Sequence, residues 1–165
     1  LSCGNSKWVY AFREEINVFS RKPTPPVLKP VKINSTGNFS GDGVSIEVSN
    51  SFTSRGAMSN FCFIDGDKAP FPCFVRGAKA GDKLPGKAEP KRNHLIFRRL
   101  QKLGCPGFLR KAFPVIVDKK DNLIAAPLIY SGKKSAGVLK KPLVLIIDSP
   151  VLDYVILKAG ADTAQ

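Results

Sequence analysis

The sequence predicts an α+β fold in which strands dominate. Short runs of β-branched, aromatic and aliphatic residues recur between turn residues, while 94–103 reads as a short helix with one further turn expected at 107–111. A hydrophobic content of 43% and a charged content of 24% are ordinary for a globular chain, and 165 residues can bury a core without disulfides or metal.

Taken in order, Trp8–Phe12 and Ile16–Phe19 are two β-prone runs. Pro23, Pro25, Pro26 and Pro30 then form a stiff, extended connector, because proline fixes φ and removes a donor. Val44, Ile46 and Val48 alternate with Ser45, Glu47 and Ser49, the pattern of a half-buried strand entered through the Gly41-Asp42-Gly43 turn. Phe61, Phe63, Phe71 and Phe74 flank the Asp65-Gly66-Asp67 turn. Residues 79–92 carry Gly81, Pro85, Gly86 and Pro90 and read as loop.

Asn93 stands where an N-cap belongs, so the helix is expected over 94–103. Leu95, Ile96, Leu100 and Leu103 supply its apolar face, and Gly104 and Pro106 stop it. Phe113–Val117 is a strand, 119–122 a turn, and Leu123–Ile129 the returning strand; Leu143–Ile147 suits a buried strand, and an apolar segment, Val151–Leu157, follows. The chain therefore divides into an extended or β lead with its connector (1–30), an α+β domain (31–130) and a C-terminal extension expected to pack on it (131–165).

Charge is the unusual property. Lys and Arg total 26 against 13 Asp and Glu, a net +13. Residues 75–111 hold eleven basic and two acidic side chains, so about a fifth of the chain carries a net +9. Self-repulsion of that size is offset by a polyanion, and nucleic-acid phosphate is the usual one. The plain alternative is a solvated lysine-rich face.

Cys3, Cys62, Cys73 and Cys105 form no C-x-x-C pair, and the single histidine, His94, has no cysteine near it; buried thiols are expected and a metal site is not. A Cys62–Cys73 bridge across a hairpin would need an oxidising compartment, whereas the charge points to a reducing one. No apolar run is long enough to span a bilayer. A chain beginning at Leu1 suggests processing or trimming.

The order of residues from 75 to 130 resembles one family. Val75-Arg76-Gly77-Ala78-Lys79-Ala80-Gly81-Asp82-Lys83-Leu84 is similar to the segment that opens the C-terminal domain of bacterial tRNA(Ile)-lysidine synthetase. Leu100–Pro106 looks like that domain's helix ending in Gly-apolar-Pro. Arg110 with Phe113–Asp118, and Ala126-Pro127-Leu128, follow at compatible spacing. Lys83 stands where the family usually has Arg, and Leu128 lacks the preceding Gly. The resemblance implies a compact α+β module, preceded here by a β-rich segment, that grips the acceptor stem of a tRNA while a separate N-terminal domain performs the chemistry. That domain's Ser-Gly-Gly-x-Asp-Ser loop is missing. The nearest string, Ser131-Gly132-Lys133-Lys134-Ser135, lacks its aspartate and also fails the other phosphate-loop spacing.

The expected contact residues are Arg76, Lys79, Lys83, Lys91, Arg92, Arg98, Arg99, Lys102 and Lys111, with Gly81 letting the backbone turn and expose amides to phosphate. Asp82 is expected as a turn or helix-orienting acceptor rather than a catalytic acid, and Arg110 suits an internal pair with Asp118. No catalytic residue, metal or cofactor is assigned.

The leading reading is a non-catalytic module for structured RNA, a tRNA acceptor stem or rRNA. A derivative in an organellar ribosome or its assembly intermediate, beside ribosomal proteins, would account for the charge and the unfamiliar tail. The expected setting is a mitochondrial or plastid matrix, or the cytoplasm, with no membrane partner. Two alternatives stand: the tRNA-recognition part of an active ATP-dependent lysidine synthetase, and a basic scaffold meeting acidic proteins.

Overall fold

The computed structural model describes strands at 2–3, 7–12 and 15–19, and residues 27–51, 60–65, 71–84, 95–130 and 142–161. Strands β1 (Ser2–Cys3), β2 (Lys7–Phe12) and β3 (Glu15–Phe19) form an antiparallel three-stranded sheet, with Trp8 opposite Phe19 and Val9 opposite Val18.

The other described residues form an α+β assembly of two four-stranded antiparallel sheets, two α-helices and a short 3-10 turn at Arg110–Ala112 around one core. The first sheet contains β4 (Val31–Ile33), β8 (Cys73–Gly77), β9 (Pro114–Val117) and β10 (Leu123–Ala125), in the spatial order β10-β9-β8-β4. The second contains β5 (Gly37–Gly41), β6 (Val44–Ser49), β7 (Phe61–Asp65) and β11 (Pro142–Asp148), in the order β5-β6-β11-β7. The expected hairpin is present: Gly41 pairs with Val44 across the turn, and Gly43 takes a φ of +75° that favours glycine. Along β6, Val44, Ile46 and Val48 are buried while Ser45 and Glu47 are exposed, as the alternation required.

β9 is different, for all four of its residues are buried and both faces of the sheet are covered there. β11 occupies an inner position, its Leu145 paired with Val48 of β6 and with Cys62 of β7. Helix α2 (Pro150–Ala161) follows directly; Pro150 fits the first helical position because no intrahelical partner awaits its missing N–H. Val151, Leu152 and Val155 of α2 enter the same buried cluster as Ile96 and Leu100 of helix α1 (Ile96–Lys102).

Three expectations change. Helix α1 is shorter than 94–103, and its N-cap is Leu95, which offers no capping side chain; Asn93 lies outside the described residues. The returning strand ends at Ala125 rather than Ile129, because Ala126 and Tyr130 close a turn in which Leu128 has a φ of 62°. Cys62 and Cys73 do not face each other across a hairpin: β7 and β8 belong to different sheets, and Cys62, Cys73 and Cys105 are buried thiols. Burial raises all three, Cys73 to about 11 and Cys105 to about 12, so they are poor nucleophiles.

Candidate nucleic-acid interface

The end of β8 leads into the turn Lys79–Asp82. The amide of Asp82 donates to the Lys79 carbonyl at 3.1 Å, and the amide of Lys79 donates to Asp82 Oδ2 at 2.7 Å. Asp82 is therefore the turn acceptor that its position beside Gly81 suggested. The Lys79 amide is thereby occupied by a carboxylate, which replaces the expectation that it faces phosphate.

Arg76 organises this corner from within. Its guanidinium makes a two-pronged contact with Asp82, at 2.9 Å from Nη1 and 2.8 Å from Nη2. Nη1 also donates to the Gly77 carbonyl at 2.9 Å, and Nε donates to Asp121 Oδ1 at 2.6 Å. Arg76 is 6% and Asp82 9% exposed, so this bidentate pair is shielded from solvent and salt. The Asp82 hydrogen bonds hold the guanidinium above its ordinary value against desolvation, with Asp121 assisting. Arg76 was expected on the contact surface; its side chain is instead spent inside the protein.

Asp121 joins this corner to the hairpin between β9 and β10. Its Oδ2 receives Lys79 Nζ at 2.5 Å, and its backbone sits at a φ of 65°, a conformation that aspartate tolerates better than most residues. Lys79 and then Arg76 hold its carboxyl below the ordinary range against partial desolvation. The hairpin turn is built by Asp118, whose side chain accepts from the amides of Lys120 and Asn122 and from Asn122 Nδ2, at 2.8, 2.9 and 2.9 Å.

The same corner holds α1. The amide of Ile96 donates to the Asp82 carbonyl at 3.0 Å, and Lys83 bridges Leu95 in antiparallel fashion. Ile96 and Leu100 point inward with no exposure, leaving Arg98, Arg99 and Lys102 on the outer face, three and four residues apart. Arg99 and Lys102 also lie in the last turn, where a cation is favoured by the helix dipole.

On the other side, the Ala78 amide donates to the Phe113 carbonyl at 2.9 Å, and a Cβ on Gly77 would collide with the Lys111 carbonyl. Lys111 is thus fixed beside the corner with its side chain exposed. Arg110 Nε donates to the Cys105 carbonyl at 3.0 Å, securing the turn beyond α1.

Hydrogen bonds therefore tie Lys79, Lys83 and the start of α1 to one corner of the fold, and the close approach of its carbonyl to Gly77 sets Lys111 beside it. Lys83, Arg98, Arg99 and Lys111 make no ion pair among the described residues. Lys91, Arg92 and His94 lie outside the described residues, as does the Ser131–Ser135 string. The reading from sequence missed Lys119 and Lys120, which Asp121 brings to the same corner; the Lys-Lys-Asp-Asn turn was visible but its neighbour was not.

This chain is similar to the crystal structure of a TILS C-terminal domain. The TILS domain and this chain share 18% identity at a TM-score of 0.48, over 78% of this chain and 94% of that one. No protein-family model and no curated protein matches the sequence. Among the described residues, no group of three or more His, Cys, Asp or Glu side chains could hold a metal ion, and no helix is long and apolar enough to cross a membrane.

Proposed function

We propose that this chain is a non-catalytic RNA-binding module that grips the backbone of a structured RNA, a tRNA acceptor stem or an rRNA element. One observation carries the reading. Lys83, Arg98, Arg99 and Lys111 are exposed cations around one corner, while two acids of that corner, Asp82 and Asp121, are engaged by Arg76 and Lys79. The acids of the corner are thus spent on internal partners, and the positive surplus resides on side chains that reach solvent. Lys102 extends this face, and Lys91 and Arg92 belong to the same basic stretch of sequence. The sequence resemblance of 75–130 to a tRNA-gripping domain supports the same partner.

Contacts of this kind position an RNA without reading its bases, so selectivity comes from RNA shape. No cofactor is required. We place the module in an organellar ribosome or its assembly intermediates, a setting to be checked by crosslinking in cells and sequencing the attached RNA.

The direct test is binding of a transcribed tRNA at several salt concentrations. With five to seven phosphate contacts, log affinity falls against log salt with a slope of roughly −4 to −6. Replacing Arg98→Glu and Arg99→Glu together lowers affinity at least about tenfold with the melting curve retained, since each reversal replaces an attraction to phosphate with a repulsion. A salt-independent interaction, or equal affinity in the double variant, would refute the reading.

A further inference from the structure

We infer that the hairpin tip Lys119–Lys120, rather than the Arg76–Lys79 pair, supplies the phosphate contact that accompanies helix α1; this rests on the RNA-binding reading above. Within the corner, apart from the tip carboxylate of Asp118, which is taken up by the amides of Lys120 and Asn122 and by the Asn122 side chain, charges divide into two kinds. Arg76, Lys79, Asp82 and Asp121 form a closed set, with Arg76 between both carboxylates and Lys79 on Asp121. The set carries two positive and two negative charges and exerts little net pull on an anion.

Lys119 and Lys120 are exposed at the tip, and neither side chain makes an ion pair among the described residues. The Lys120 amide is held by Asp118, which fixes the backbone of the tip while leaving the lysine side chain to solvent. The neutral set does the aligning. Asp121 follows Lys120 directly and meets Lys79 and Arg76, and the Asp82 carbonyl receives the Ile96 amide at the start of α1. The tip lysines and the α1 arginines are thus two cationic elements bolted to one rigid node, which an RNA backbone can meet together without ordering a loop.

The experiment measures affinity of the full chain for a fluorescently labelled tRNA transcript at about 0.1 M salt, where phosphate contacts still dominate. Lys119→Glu with Lys120→Glu is expected to lower affinity at least about tenfold, and Lys119→Gln with Lys120→Gln about threefold or more, with thermal midpoints close to the parent's. Lys79→Ala, which removes a cation paired with Asp121 while Arg76 keeps its own hold on that carboxylate, is expected to lower affinity less than the tip reversal does. If the parent binds in a salt-dependent manner but both tip variants bind equally well, this inference is overturned and the RNA reading stands. If the parent itself shows no salt-dependent binding, the RNA reading fails and this inference with it. The glutamine pair guards against a reversal that disturbs folding, because it leaves the turn-forming Asp118 and Asn122 untouched.

Discussion

Arg76 and Asp82 are joined by two parallel hydrogen bonds of 2.9 and 2.8 Å, and both residues are almost wholly buried. Six positions separate them, yet they close the turn that carries Lys79, meet the hairpin through Asp121 and anchor the start of α1. A buried pair of this kind is costly to desolvate and contributes little net stability against an apolar replacement; breaking it is another matter. The pair fixes the geometry of the corner more than it adds to stability.

Removing one partner should therefore be severe. Asp82→Ala leaves the Arg76 guanidinium with only Asp121 and the Gly77 carbonyl, and strips the Lys79 amide of its acceptor; the expected loss is about 3 kcal/mol in urea unfolding. Replacing both partners, Arg76→Met with Asp82→Leu, should cost less than Asp82→Ala alone, because no charge is left buried. A double variant at least as unstable as the single one would show that the pair itself, and not the orphaned charge, carries the stability.

Asp121 makes stability depend on acid. Its carboxyl is held below its unfolded value, near 3.9 for a free aspartate, by Lys79 and Arg76. The stabilisation is complete above about pH 5, is lost as pH falls through the folded value, and is absent once both states are protonated. Because the side chain is half exposed, the effect is below about 1 kcal/mol. Asn tolerates the same positive φ, so Asp121→Asn isolates the charge: the gap between parent and variant in urea midpoint should be present at pH 7 and vanish toward pH 2. A gap that does not change with pH would mean that shape, not charge, is at work.

Two glycines that look alike in sequence should behave differently. At Gly77 a Cβ would strike the backbone carbonyl of Lys111, which cannot rotate away; Gly77→Ala should cost about 2–3 kcal/mol. At Gly81 a Cβ would meet nothing within 4 Å and the backbone is not left-handed, so Gly81→Ala should stay within about 0.5 kcal/mol. Thermal melts of the two variants decide it. Equal losses would indicate that the turn, not the close approach, limits both.

Legibility in the sequence followed the range of the interaction. The 44–48 strand could be read because one buried face imposes alternation, and Gly104 ended α1 because it adopts a φ of +79°. Asp82 could be read as a turn acceptor because its partner, the Lys79 amide, is three residues away. Arg76 misled, since a lone arginine in a basic stretch gives no sign that Asp82, six residues on, will clasp it in a buried two-pronged contact, or that Asp121, forty-five residues on, will complete its partners. Lys119 and Lys120 were overlooked for the same reason. The 151–157 segment remained unassigned because Leu157 is exposed while Val151, Leu152 and Val155 are buried, a pattern set by what α2 rests on. Long-range pairing, not local propensity, decided each of these.

The C-terminal segment should prove indispensable to folding. β11 pairs along one edge with β6 and along the other with β7, so without it the second sheet loses its bridge. The Ile147 amide donates to the Asn60 carbonyl and Asn60 Nδ2 to Asp148, which ties the start of β7 to the same strand. Leu145, Ile147, Leu152 and Val155 are all fully buried, and their loss would open the core shared with the first sheet. A chain ending at residue 141 is expected to lack a cooperative thermal transition by circular dichroism. Leu145→Ala, which empties part of one site, should cost about 3 kcal/mol while preserving cooperativity. A shortened chain that still melted in one sharp step would mean that the first sheet and α1 fold without the second sheet's central strand, and that the basic corner needs none of it.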